Sequence, residues 1–430
     1  TNGDVRDPYN WQGGTAPQGL GSEDISFPYS GTFNPLLPVS LGVRNITFGA
    51  ASGSYLISGR GTLTLTGSVS STYEGGASIT IAAPVSLASG LHTITVGTSD
   101  SFGTPIVLLG PLSGTGGFSK WGLGELTIDH EGNTFSGGVE LDRGVLRVHG
   151  DGALGTGAVY MYNGKLVALD THSDSLTTVL ANDFYVSSLA KFGEIGGRGS
   201  LTLTGPINLQ AGVHIAEIYT LGRGLLTLAD LVEHDEGTIL DFAGEGMVRI
   251  AGYADYSGDT HAEGNAAVIF AHGPPSTGYL IAHDDSYIGT EETTNIQSSF
   301  LSRVHRTNSI GIVGFDTADL ESPAVVSELI DLSVFDGSLR VGTSTAAIFK
   351  GTIIPGSYGY HFGGRGTLTV ESSLTYETGL EATSGLLLFL KGANSYAGPT
   401  RAGAGAAIVF TGDALPNGTA FNVEAGSYIG

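Results

Sequence analysis

The chain has 430 residues, 40% of them hydrophobic, no cysteine, and 18 basic against 41 acidic side chains, a formal net charge of −23. The lack of cysteine excludes a disulfide framework, a thiolate metal site and a cysteine nucleophile. The acidity argues against a nucleic-acid partner, which needs a basic footprint, and no window of about 20 apolar residues offers a transmembrane helix. The 69 glycines are about twice the usual share and follow no three-residue period. Placed among Thr, Val, Leu and Ile, they indicate many short strands joined by tight turns.

In chain order, residues 1–40 come first and hold Pro8, Pro17, Pro28, Pro35 and Pro38, five of the 15 prolines. Proline donates nothing to a strand ladder, so this stretch is read as an N-terminal cap with loops, anchored by a buried Trp11. Thr1, in place of an initiator Met, is read as the start of a processed or trimmed chain.

Residues 41–289 carry short alternating runs such as Ser78-Ile79-Thr80-Ile81 and His92-Thr93-Ile94-Thr95-Val96, separated by Gly, Asp and Asn clusters. Each run puts apolar residues on one face. A Gly-Arg-Gly turn followed by a Thr/Leu strand recurs at Gly59-Arg60-Gly61, Gly197-Arg198-Gly199 and Gly364-Arg365-Gly366, with a further copy at Gly222-Arg223-Gly224. Arg60, Arg198, Arg223 and Arg365 could form a ligand-binding basic row. The favoured reading is structural: the glycines shape a corner, the leucines feed a core and the arginine ties neighbouring coils.

A longer repeat places Phe135, Tyr256 and Tyr396 between two strands each time, at uneven intervals. An unchanged local motif at uneven spacing suits a solenoid whose insertions become loops better than tandem sandwiches. The three aromatics are read as a stacked interior or corner set, with sugar stacking as the competing reading.

Residues 290–335 break the rhythm. Thr290 is the expected N-cap of a short helix with Glu291 and Glu292 in its first turn, and Ile296, Phe300, Leu301 and Val304 fall on one face. Residues 336–430 return to the solenoid pattern. Their repeat halts at Gly430, which suggests either a fragment of a longer repetitive chain or subunits stacked end to end.

Three clusters of acids with histidine, Asp129-His130-Glu131, Glu233-His234-Asp235-Glu236 and His283-Asp284-Asp285, make Asp129, Glu131, Glu233, Asp235, Asp284 and Asp285 the candidate ligands for Ca2+ or a transition ion. None has a recognised ligand spacing, and solvated turns are the expectation, with no cofactor. The remaining acids stand singly in turns, so no catalytic residue is assigned and no enzyme is expected.

The run from Gly122 through Asn133, Phe135 and Val139 to Val148 resembles the autotransporter-associated β-strand repeat, roughly Gly-x-Gly-x-Leu-x-Leu, Asn-x-aromatic-x-Gly-Gly, then Gly-x-Leu-x-Val. Residues 385–410, with Asn394 and Tyr396, match as well; residues 244–270 match less closely, with Ala254 where Asn is usual. Asn10-Trp11-Gln12-Gly13-Gly14 also looks like the start of large secreted proteins carrying these repeats. The resemblance implies a right-handed parallel β-helix at or beyond the bacterial surface, as in adhesins and other surface polymers.

The expected fold is therefore all-β, a right-handed parallel β-solenoid of about 15–18 coils at roughly 20–25 residues each. The expected function is a non-enzymatic structural or adhesive part of an extracellular filament. The alternative is a carbohydrate-active or carbohydrate-binding β-helix. Expected partners are other copies of the chain, adjacent repeats of a longer chain, or surface glycans.

Overall fold

The computed structural model describes residues 3–27, 34–49, 54–72, 78–168, 177–187, 191–195, 200–210, 212–218, 225–234, 236–335, 337–412, 414–416 and 418–430, with side chains except at 191–195 and 213–218. The chain is an all-β parallel solenoid of about 16 turns, within the number expected, and only 3% of it is helical. It divides into two compact units, Thr1–Thr227 and Leu228–Gly430.

In the first unit most strands are three to six residues long and alternate buried and outward-facing side chains. Each strand pairs in parallel with its equivalent one coil away, which stacks like positions in register about 4.8 Å apart. One such stack runs Ile25, Ile46, Val69, Ile94, Lys120, Leu141, Met161, Val186 and Leu209. All nine are buried, and Lys120 is the one polar member. A second stack on another side of the coil is Tyr55, Ile79, Ile106, Leu126, Leu146 and Leu166. At about 25 cal/mol per Å2 of apolar surface removed from water, such continuous ladders supply most of the stabilisation.

The early coils have a third side, on which Leu41, Leu63, Val85 and Leu112 align. Beyond it the Asn-x-Phe segment takes over. Thr134 and Ser136 donate backbone hydrogen bonds to Leu112 O and Gly114 O, so this irregular segment continues the third side without forming a strand. The stretch expected as a cap already takes part in the parallel pairing: isolated bridges join Asp4 to Leu36 and Leu20 to Gly42, and strand Asp24–Phe27 pairs with Asn45–Phe48. Trp11 is half-buried; its indole N–H donates to Val5 O at 2.7 Å.

In the second unit one long parallel sheet runs through Met247–Ile250, Ala267–Phe270, Tyr287–Thr290, Ile312–Phe315, Arg340–Gly342, Tyr360–Gly363, Leu380–Ala382, Thr400–Ala402 and Phe421–Val423. A second sheet contains Thr367–Val370, Leu387–Leu390 and Ala407–Phe410. By the repeat, Met247–Ile250 corresponds to Leu387–Leu390, and Thr260–Ala262 to Thr400–Ala402. The long sheet takes the former side of the early coils and the latter side of the later ones, so it changes side at the insertion.

That insertion holds the single helix among the described residues, Ile296–Ser299, followed by a 3-10 turn at Leu301–Arg303. Ile296, Phe300, Leu301 and Val304 are all buried, as the spacing predicts. The expected start at Thr290 is corrected: Thr290 is the last residue of strand Tyr287–Thr290, in register with Phe270 and Phe315. Two ladder partners outweigh a local cap. The helix begins after Asn295, and the Glu328 carboxylate accepts from the Asn295 and Ile296 backbone N–H at 2.7 and 3.0 Å. Glu291 pairs with Arg249, at 2.6 and 2.7 Å, in place of lying in a first helical turn.

Candidate functional site

The repeated motif residues resolve into scaffold. Gly59 and Gly364 have φ of +131° and +123°, a region that favours glycine. A side chain on Gly61 or Gly366 would collide with the carbonyl of Val39 or Thr345 on an adjacent coil. Both second glycines donate the same backbone bond, Gly61 to Leu37 O at 3.0 Å and Gly366 to Thr343 O at 3.1 Å. Arg60 is exposed. Arg365 donates to two carbonyls, Glu245 O at 3.2 Å and Asn265 O at 2.9 Å. It thus bonds carbonyls, as read, but those of coils a hundred or more residues away in sequence, which corrects the expected tie to a neighbouring coil. Gly197, Arg198, Gly199 and Arg223 lie outside the described residues.

Phe135, Tyr256 and Tyr396 are all buried, which removes them as a sugar platform. The Tyr256 and Tyr396 hydroxyls each pair with a threonine hydroxyl four residues on, Thr260 and Thr400, at 2.6 Å. Burial pushes both phenols up, Tyr396 to about 12. The asparagines two residues before Phe135 and Tyr396 clamp three coils. Asn133 accepts from Leu112 N and donates to Ala153 O; Asn394 accepts from Leu374 N and donates to Ala414 O. Each bond satisfies backbone that lacks a strand partner.

The acids chosen as metal candidates are dispersed. Asp129 pairs with His149 at 2.6 Å, and Glu131 is exposed. Glu233 accepts from Thr238 N, Ser257 N and Ser257 Oγ; those bonds outweigh burial and hold its carboxyl below the usual range. Asp235 lies outside the described residues. Asp285 pairs with Arg340 at 2.6 Å and is lowered by that guanidinium, while Asp284 contributes its backbone carbonyl to the same arginine. The three-residue cluster with metal-ligating chemistry among the described residues is another one, His261, Glu263 and His283. Of these, sequence reasoning singled out only His283. The missed signal is two histidines one coil apart with a glutamate two residues after the first.

The outer face of the first unit carries a row of aromatic and acidic side chains. Glu140, Tyr160, Tyr185 and Asn208 are in register on four successive coils. The Tyr160 and Tyr185 rings stack at 4.9 Å with 14° between their planes. Tyr160 and Tyr162 are about two-fifths exposed. Burial, and then the nearby Asp142, raise the Glu140 carboxyl; Tyr162 is raised by burial and by the charges of Glu140 and Asp142. Asp142 accepts from Ser119 Oγ at 2.7 Å, and the Arg143 guanidinium sits 5.6 Å from the Trp121 ring centroid. Flat rings beside carboxylates on an open strand face can stack on a sugar ring and accept from its hydroxyls.

Residues 118–148 match the model of the passenger-associated-transport-repeat family. That segment holds Lys120, Asn133, Phe135 and Glu140. No curated protein and no solved structure matches the chain. No helix among the described residues is long and apolar enough to cross a membrane. The match implies a secreted or surface passenger. With the parallel β-solenoid around it, the matched repeat fits this chain to the passenger-type repeat proteins of autotransporters.

Proposed function

We propose that the chain is a structural and adhesive passenger segment, displayed at or beyond the bacterial surface and acting without enzymatic chemistry. The supporting observation is the fate of the repeated residues: corner glycines, asparagine clamps and buried aromatics all serve coil stacking. What varies from coil to coil is the outward row. Function on such a fold belongs to the presented surface. The proposed partners are a further coil or a second copy, added across the edge strands Phe421–Val423 and Tyr428–Ile429, where Phe421, Val423 and Tyr428 are exposed.

A second reading, carbohydrate binding, is favoured by the Tyr160–Tyr185 stack beside Glu140 and Asp142. One experiment tests both. Beads coated with the chain are assayed for adherence to cells and for retention of a panel of soluble polysaccharides, with a Tyr160→Ala/Tyr185→Ala variant alongside. Adherence that survives the double substitution supports the structural and adhesive reading. Polysaccharide retention that falls at least tenfold in the variant supports the second. Turnover of any polysaccharide into shorter products would overturn the non-enzymatic assignment.

A further inference from the structure

We propose that His261, Glu263 and His283 bind a divalent ion of the zinc class, clipping two successive coils of the second unit together. The alternation of strand Thr260–Ala262 sets up the site. Thr260 and Ala262 point into the core, fully buried, so His261 and Glu263 project from the opposite face on either side of Ala262. The next coil supplies strand Leu280–Ala282, in register through Ala262 and Ala282. That pairing extends one residue further, because His283 N donates to Ala262 O at 3.0 Å. The His283 ring therefore lies beside both Glu263 and His261.

One ligand atom from each residue lies within 4.8 Å of the others. His283 Nε2 is shielded from solvent and has no hydrogen-bond partner; Glu263 Oε1 stands 3.7 Å away. That separation is too long for a hydrogen bond and close to the roughly 3.4 Å between two ligands sharing one tetrahedral ion at bond lengths of about 2.0–2.1 Å. The two imidazole rings are 5.6 Å apart, centre to centre. Small rotations of partly exposed side chains bring three donors onto one centre. Asp241 belongs to the preceding coil, in register with His261, and its carboxylate lies 3.7 Å from His261 Nδ1. That gap is also too long for a hydrogen bond, but the carboxylate stands on the Nδ1 side of the ring, and closing it by under about 1 Å would give a metal-bound imidazole its usual second partner and leave Nε2 for the ion. Two imidazoles and one carboxylate suit Zn2+ and leave a fourth position for water; a hard cation such as Ca2+ prefers an all-oxygen shell.

The test is calorimetric titration of the full chain with Zn2+ in chelator-stripped buffer, with thermal unfolding alongside. One site of defined stoichiometry is expected, weakened at least tenfold in His261→Ala and in His283→Ala, and about tenfold in the positioning variant Asp241→Asn. His149→Ala, in the other unit, should bind as the native chain does. Zn2+ should raise the Tm of the native chain and not that of the His261→Ala/His283→Ala variant, whose circular dichroism without metal reports whether it folds. Unchanged stoichiometry and affinity in that double variant, or equal losses in His149→Ala, would overturn the assignment. A Ca2+ response equal to that of Zn2+ would overturn the ion class. The readout is metal binding alone, so it stands or falls separately from adhesion.

Discussion

Lys120 holds an inward position in a ladder otherwise built of Ile, Val, Leu and Met. Its ammonium escapes the apolar interior by reaching the corner, where it donates to Trp121 O, Gly122 O and Arg143 O at 3.2, 2.7 and 3.1 Å. Three donors meet three acceptors, and two coils are joined through one side chain. Burial still lowers its pKa to about 7. The unfolded chain, with an ordinary lysine near 10.4, binds that proton more tightly than the folded one. Stability must therefore rise with pH from about 7 towards 10, by at most about 1.4 kcal/mol per pH unit for one proton. Lys120→Met should flatten this slope. Urea unfolding of both proteins at pH 7, 8 and 9 measures it, and parallel profiles would show that Lys120 keeps an ordinary pKa. Sequence reading passes over this lysine because the run Gly117-Phe118-Ser119-Lys120-Trp121 breaks the apolar/polar alternation and marks neither face as buried. Only the register with Ile94 and Leu141 reveals that Lys120 points inward.

The elements most legible in the sequence were those governed by local rules. Period-two alternation located strands such as Leu91–Val96 and Gly144–His149, and glycine spacing located the corners. The change of side in the long sheet of the second unit was not legible, because no local pattern carries it. Gly289, Gly314, Gly342 and Gly363 lie in register across four strands. Side chains added there would collide with the Asp316 carboxylate, the Tyr287 hydroxyl or the next strand's backbone, and at Gly363 with the Ile312 side chain. The bare row lets Tyr287 and Ile312 join Ala267 and Ile269 in a small cluster on the side of the sheet opposite the main core. Asp316, fully buried, takes the Tyr287 hydroxyl at 2.5 Å and the Ser344 and Thr345 backbone N–H at 2.9 and 3.1 Å. Burial pushes its carboxyl up and these bonds pull it back. Arg340 and Arg365 then bond coils that the sequence keeps far apart. Gly342→Ala should cost about 2–4 kcal/mol, since its Cβ would meet the Gly363 carbonyl. Gly405→Ala, with φ +76° and open space around it, should cost about 1–2 kcal/mol for its backbone alone. Equal losses on chemical unfolding would mean that the glycine row is not what permits this packing. The His261–Glu263–His283 cluster was hidden for a related reason: its members are neighbours only once two coils are laid in register.

At the scale of the whole molecule, charge and edge oppose each other. A formal net charge of −23 spread over one chain keeps copies apart through mutual repulsion. The proposed contact between copies is apolar and directional: Phe421, Val423 and Tyr428 are about half exposed on strands Phe421–Val423 and Tyr428–Ile429. Most ion pairs near the C-terminal coils, such as Lys350 with Glu371 and Arg401 with Glu381, are partly exposed and add little by themselves. Repulsion between copies reaches about 30 Å at 0.01 M salt and about 8 Å at 0.15 M, whereas pairing of apolar edges acts only at contact. Self-association should thus be weak at low ionic strength and grow as salt rises to 0.15 M and beyond. Sedimentation velocity across that range measures it, and Phe421→Ser/Tyr428→Ser should remove the salt-induced species while leaving the monomer folded. Association strongest at 0.01 M salt would instead mean attraction between opposite charges and would place the contact away from these edges. If only monomer is present at every salt concentration and high protein concentration, copies of this chain do not assemble through these strands, and the proposed adhesion would rest on surface contacts such as the Tyr160–Tyr185 row.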